Sequence, residues 1–247
     1  VAADLSPTRI APIAVRSAFG LALVSWRYLW LTTPLHRQEE PGDESDLPVD
    51  VPEDQLDGRC QQLCDGAGPL FHRHFSVVIE EPDLGAPELM AMVRRDFNRA
   101  LPNEVATFDR PQTKQNPLQP GEDCVVRMPG PWNGPVRVIA REDTSFRFAT
   151  LRGHLEAGQI EFRAAPAGNA IVFEIETWAR PGNRLVHLLY TRLRLAKEIQ
   201  LNLWVRFCLQ VAKMAGGRPR NGVRIHTREL VHHFPAPADA SPSTTPG

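Results

Sequence analysis

The sequence predicts an α+β domain, an antiparallel meander followed by a long C-terminal helix. Three observations lead there. Between Cys124 and Trp178, short runs alternate between apolar and polar residues and are divided by turn signals. After Arg180-Pro181-Gly182, one apolar stripe continues at helical spacing to a Gly216-Gly217 stop. Upstream of the meander lie one alternating strand and one short helix that opens on proline.

Residues 1–37 predict an apolar N-terminal helix. Its apolar part runs from Ile10 to Leu35 and is interrupted by Arg16 and Arg27. The two arginines are 11 residues apart, so they share one stripe, beside Phe19, Leu23, Trp26 and Trp30. A membrane span needs about 20 predominantly apolar residues, so this segment predicts a helix packed on its own domain, on a partner or on a membrane surface. It lacks the charge-first order and small-residue cleavage site of an export signal. The four cysteines are too sparse for a disulfide scaffold. Together these features predict a cytoplasmic protein, with a peripheral membrane or partner contact through the N-terminal helix.

Residues 38–68 predict an acidic, Pro-rich linker. Glu39, Glu40, Asp43, Glu44, Asp46, Asp50, Glu53, Asp54 and Asp57 crowd among Pro41, Pro48 and Pro52, with no basic residue before Arg59. Such a run repels itself and stays solvated. The main domain spans 69–234, and the Pro-, Ala-, Ser- and Thr-rich residues 235–247 predict a disordered tail.

Within the main domain, Phe71–Glu81 alternates, with Phe71, Arg73, Phe75, Val77 and Ile79 on one face. Pro87–Leu101 spaces Leu89, Met90, Val93, Phe97 and Leu101 as a helix. A Pro-rich loop over 102–120 follows, then strands over Cys124–Met128, Val136–Arg141, Ser145–Leu151, Gly158–Ala164 and Ala170–Trp178. The long helix covers Asn183–Ala215, with a stripe of Leu189, Leu193, Ala196, Gln200, Leu203, Phe207, Val211 and Met214. Gln200 interrupts that stripe. An amide there either bonds backbone or solvent at the stripe's edge or lines a polar part of a cavity. Val223–Phe234 reads as a strand or loop.

Of the 247 residues, 42% are hydrophobic and the net charge is −1. The first figure excludes a fully disordered chain, and the second argues against a nucleic-acid partner. The total hides segregation, because an acidic segment offsets an Arg-rich domain. Cys60 and Cys64 stand near His72 and His74 without a second matched pair, and His226, His232 and His233 lack matched partners. No metal and no cofactor are expected. Nucleotide-loop, metalloprotease and serine-hydrolase signatures do not occur.

The run Ser145–Phe162 (SFRFATLRGHLEAGQIEF), with Trp178-Ala179-Arg180-Pro181, resembles an uncharacterised family of the START-like (SRPBCC, polyketide cyclase-like) superfamily. Ala149 stands where that family usually has glycine. The resemblance covers roughly Pro120–Ala215. It implies a helix-grip fold, a curved antiparallel sheet wrapped around the long C-terminal helix with an apolar cavity between them. It further implies a lipid- or polyketide-like ligand, and in some members a cyclisation or dehydration.

On that basis the expected function is binding of a small hydrophobic or amphipathic molecule between the long helix and the sheet. Phe146, Phe148, Phe173, Ile175, Gln200, Leu203 and Phe207 would form the wall, an assignment that rests on strand parity and inverts as a set if the other face is covered. His154, Glu156 and Arg152 would be polar groups at the mouth, and Arg152 and Arg180 could hold an anionic head group, with ordinary surface pairing to carboxylates as the alternative. One alternative is a cyclase or dehydratase with His154 as general base and Glu156 orienting or protonating. For these two the competing reading is a hairpin turn in which both bond nearby backbone. A second alternative is an interaction protein that docks through its N-terminal helix. The Trp132-Asn133-Gly134 run predicts a tight turn. The oligomeric state stays open.

Overall fold

The computed structural model describes residues 35–102, 106–111, 117–128, 133–182, 195–231 and 234. Strands β1 (Leu35–Pro41), β2 (Leu70–Glu80), β3 (Thr107–Asp109), β4 (Asp123–Arg127), β5 (Asn133–Arg141), β6 (Ser145–Thr150), β7 (Glu156–Ala167), β8 (Ala170–Pro181) and β9 (Arg218–Leu230) form one sheet. Its order is β1-β9-β2-β8-β7-β6-β5-β4-β3. Every pair is antiparallel except β1 with β9, which is parallel. Helices α1 (Ala86–Arg95) and α2 (Leu195–Met214) complete the regular structure of the described residues, apart from short 3-10 turns.

This corrects the predicted α+β helix-grip class. The described chain is mostly β, a mixed sheet of nine strands with two helices. Two segments make the difference. Residues 218–230 form a 13-residue strand that inserts beside β2. Its basis is a period of two: Val223, Ile225 and Thr227 are buried, while Arg224, His226 and Arg228 face the other way. Residues 35–41, assigned partly to the N-terminal helix and partly to the linker, form the parallel edge strand β1. Their side chains show no apolar alternation, so β1 is held chiefly by backbone pairing. The predicted N-terminal helix up to residue 34, the helix start at 183–194, Trp132, His232, His233 and the tail 235–247 lie outside the described residues, whereas Asn133 and Gly134 of the predicted tight turn are the first residues of β5, paired with Arg127 and Val126.

One face of the sheet carries the helices. Helix α1 packs on β7, and α2 packs on β2, β8 and β9. The pleat points Phe75, Val77 and Ile79 of β2, Phe146 and Phe148 of β6, Phe162 of β7, and Phe173 and Ile175 of β8 toward them, all buried. Each such side chain contributes about 2–3 kcal/mol on removal from water. The opposite face carries His72, His74, Arg147, Glu161, Arg163, Glu174, Glu176, Arg224, His226 and Arg228.

The acidic segment read as a solvated linker lies against that polar face. Asp46 is 1% exposed. The Val49 carbonyl accepts from Gln159 Nε2 at 3.0 Å. Asp57 Oδ2 lies 3.0 Å from Arg137 Nη2. The Gln61 N–H donates to the Thr150 carbonyl at 2.8 Å, and the Ala67 N–H to the Pro181 carbonyl at 2.7 Å. The segment therefore runs from β9 to β5 and returns along the strand ends into β2. Its carboxylates meet the cations of the sheet, which is where the charge segregation of the sequence is resolved.

Candidate functional site

The structure turns the predicted wall residues toward the helices and packs them on one another. Phe146 stacks on Phe162 with ring centroids 4.9 Å apart, Phe207 lies 5.3 Å from Phe162, and Phe173 lies 6.1 Å from Phe207. Phe97, from the turn after α1, sits 5.0 Å from Phe207 and 6.0 Å from Phe148. Ile175 and Leu203 are buried in the same core. At this level the helix–sheet interface is a filled aromatic core.

One step further along the same inward face of β2, the apolar surface ends at Arg73, which is 1% exposed. Its Nη1 donates to Gln200 Oε1 at 2.8 Å. Gln200 Nε2 in turn donates to Glu156 Oε2 at 2.8 Å. The Arg73 guanidinium carbon lies 4.9 Å from the centre of the Phe71 ring. The network thus runs from buried Arg73 through half-buried Gln200 to half-buried Glu156, joining β2, α2 and the start of β7. Arg73 Nε and Nη2 are buried without a hydrogen-bond partner, as is the hydroxyl of Thr177. Thr177 is the cross-strand neighbour of Arg73 on β8.

Gly158 keeps the strands beside this network in close approach. Its φ is +151°, and a Cβ there would stand 1.8 Å from the Trp178 carbonyl oxygen, so only glycine fits. The Gly182 N–H donates to the Leu155 carbonyl at 2.7 Å and ties the end of β8 to the start of β7.

The structure brings Gln200 and Glu156 together and does not pair His154 with the Glu156 carboxylate. His154 Nδ1 accepts from the Glu156 main-chain N–H at 2.9 Å. Its other nitrogen faces Gly134, where an added Cβ would be 2.9 Å from Nε2. Burial pushes the His154 pKa down, against the smaller opposing pull of the Glu156 charge. The imidazole therefore holds the turn between β6 and β7. Arg152 is exposed, and its main-chain N–H donates to the Arg59 carbonyl at 2.7 Å. Arg180 binds the carbonyls of Gly68 at 2.9 Å and Leu63 at 2.5 Å, so it fastens the chain entering β2.

Sequence reasoning missed Arg73 as a site residue. The signal was present, since Arg73 shares its face with Phe71, Phe75, Val77 and Ile79, and an arginine on an apolar face needs a reason.

The polar face holds a second cluster around a cleft of about 140 Å³ lined by His72, His74, Arg163, Glu176, His226 and Arg228. His72 places Nδ1 2.7 Å from Asp46 and Nε2 2.7 Å from Glu176. His74 Nε2 lies 2.8 Å from Glu174. Arg163 bridges Glu174 at 2.7 Å and Glu176 at 2.6 Å. Arg228 reaches Glu40 at 2.8 Å and Asp46 at 3.3 Å. His226 Nε2 is 2.8 Å from the same Glu40 oxygen but out of line for a hydrogen bond. The His74 hydrogen bond, opposed by burial and aided by Arg163, holds Glu174 down at a pKa of about 2. Burial disfavours charge on His72, but its bonds to Glu176 and Asp46 outweigh that and raise its pKa. His72 also stacks on Trp178, with centroids 5.3 Å apart.

Among the described residues, no group of His, Cys, Asp and Glu side chains is arranged to hold a metal ion. The described cysteines Cys60, Cys64, Cys124 and Cys208 are free thiols. No described helix is long and apolar enough to cross a membrane.

Several solved structures are similar to the chain. A hypothetical protein of Helicobacter pylori aligns at 9% identity and TM-score 0.44, over 68% of this chain and 96% of its own. The di-domain ARO/CYC StfQ of the steffimycin biosynthetic pathway aligns at 10% identity and TM-score 0.41, over 60% of this chain and 52% of its own. A major latex-like protein of Panax ginseng aligns at 11% identity and TM-score 0.38, over 55% of this chain and 99% of its own. Likeness at this level assigns neither an activity nor a ligand. No curated protein sequence matches the chain. Residues 99–209, which include the run at 145–162 that carries the START-like resemblance, match the family model described as a domain of unknown function, DUF1990.

Proposed function

We propose that this chain binds a small amphipathic molecule on the helix-facing side of the sheet. The polar end of that molecule sits at the Arg73–Gln200–Glu156 network, and its apolar part lies against the apolar side chains beside that network, outside the filled core. One observation carries the reading. A cation on the helix-facing side of the sheet is buried with Nε and Nη2 unused, while its Nη1 is bonded to Gln200 of α2. Leaving buried polar groups unsatisfied is unfavourable, which supports an acceptor bound at this edge of Arg73. A few convergent polar groups beside apolar walls is the general character of small-molecule sites. The filled aromatic core supports a reading in which the molecule binds at the polar end of the helix–sheet interface and not in its middle.

Native mass spectrometry of the freshly purified chain tests the reading. The expected result is a co-purifying small molecule that is lost, with the fold retained by circular dichroism, in the Gln200→Leu variant. A molecule retained unchanged in Gln200→Leu and Arg73→Met would place the binding elsewhere and sink this reading.

A further inference from the structure

We propose that the unpartnered Nε–Nη2 edge of Arg73 is a receptor for a carboxylate, so that the ligand of the site above, on whose existence this rests, is an amphipathic carboxylic acid. A guanidinium has five N–H donors in a fixed plane. Nη1 is committed to Gln200. The Nε–H and the neighbouring Nη2–H point side by side, the fork that matches the two oxygens of a carboxylate. Both atoms of that edge are buried and without a partner. The Thr177 hydroxyl, from the cross-strand neighbour of Arg73 on β8, is likewise buried and unpartnered and is a further donor on the same face.

The protein's own carboxylate does not fill this edge. Glu156 is connected to Arg73 through the Gln200 amide, whose oxygen faces the guanidinium and whose nitrogen faces the carboxylate. Gln200 therefore works as a neutral spacer. It holds Glu156 in the network and leaves the fork of Arg73 for an external acceptor. The charge and shape of that acceptor follow. A neutral amide has one acceptor oxygen for two parallel donors. A dianionic phosphate would bring a second negative charge toward Glu156. A monoanionic, planar carboxylate satisfies both donors and balances the buried cation.

The experiment titrates the whole chain with decanoate, decanol, decanamide and decyl phosphate by calorimetry, and follows the arginine Nε–H resonances by NMR. Decanoate is expected to bind at least about tenfold tighter than the other three, and one Arg Nε–H signal, absent in Arg73→Lys, should move downfield on its addition. Arg73→Lys keeps the charge but loses the fork, and should remove most of the preference. Thr177→Val, of nearly equal volume, should weaken decanoate severalfold and leave decanol unchanged. Thermal melts show whether each variant is folded. If all four probes bind alike and Arg73→Lys changes none of them, the carboxylate assignment is overturned while the amphipathic reading stands. If none binds and the Nε–H signals stay fixed, both are overturned. If decyl phosphate binds tightest through Arg73, the site is an anion site of another class and the carboxylate assignment is lost.

Discussion

Asp46 and His72 meet at 2.7 Å although 26 residues separate them, and the contact joins the acidic segment to the sheet. Glu176 takes the other ring nitrogen at the same distance. Two ionised carboxylates only accept, so both ring nitrogens must donate and His72 sits between them as an imidazolium.

A pH dependence of the acidic segment follows. The folded pKa of His72 is raised above the ordinary value of about 6.5, because its carboxylate bonds outweigh burial. Its contribution is fully present below the unfolded value and is lost as pH rises through the folded one. The pKa of Asp46 is lowered, since its bonds to His72, Asp43 and Arg228 outweigh its burial, and that of Glu176 is lowered by His72 and Arg163 against burial. Those contributions are lost as pH falls through their depressed values. His74, His226, Arg163 and Arg228 line the same cleft, Glu40 and Glu174 pair with them, and together they modulate the position of this window. The hydrogen-exchange protection of residues 43–47, taken relative to the intrinsic base-catalysed rate at each pH, should therefore be greatest in the mildly acidic to neutral range and fall above it. His72→Gln should remove the alkaline limb. Protection that is flat across that limb in the wild type would count against the imidazolium.

The individual strands of the meander were legible because each alternates and ends on a turn signal, as at Pro166–Asn169 between β7 and β8. The stop of α2 at Gly216 was legible for the same reason, as its φ is +75°. The fold class was not. The residues of β1 have no apolar face to declare a strand, and acidic residues over 39–57 resemble solvated linker until their partners Arg137, Arg228 and His72 are known. Charge complementarity across the chain is a tertiary fact. The site was half legible in the same way. Gln200 stood out because it breaks an apolar stripe, whereas Arg73 passed as one polar residue in a strand whose pairing partner on β9 was unassigned.

Replacing Gln200 by leucine leaves the Arg73 Nη1 donor and a Glu156 oxygen each without the bond they make now. The expected loss is about 1–3 kcal/mol for groups left unsatisfied, partly recovered by the apolar side chain. Urea unfolding monitored by circular dichroism measures it. An unchanged midpoint would mean that water replaces Gln200 without penalty.

Phe146 separates a core from a cavity wall. It is fully buried and stacks on Phe162 at 4.9 Å. As a core residue, Phe146→Ala should cost about 3–5 kcal/mol of stability by leaving a void. As the wall of an open pocket it would cost far less and would instead alter ligand affinity. Denaturant unfolding and ligand titration on the same variant separate the two, and the filled core predicts the first.

The role of His154 can be decided by comparing two substitutions. Its Nδ1 accepts the Glu156 N–H at 2.9 Å, a bond that an asparagine amide oxygen can reproduce in nearly the same place. If the imidazole holds the turn, His154→Asn should keep most of the stability, while His154→Ala should lose about 1 kcal/mol with the lost bond. Burial lowers the pKa of this ring, so the bond to the amide is made by the neutral form, and the unfolded chain takes up a proton here that the folded one does not as pH falls through the ordinary value of about 6.5. Both variants should remove that share of the stability loss between pH 8 and 6. Paired urea melts at both pH values give the answer. Equal losses in the two variants would show that ring volume against Gly134, not the accepted hydrogen bond, fixes the turn.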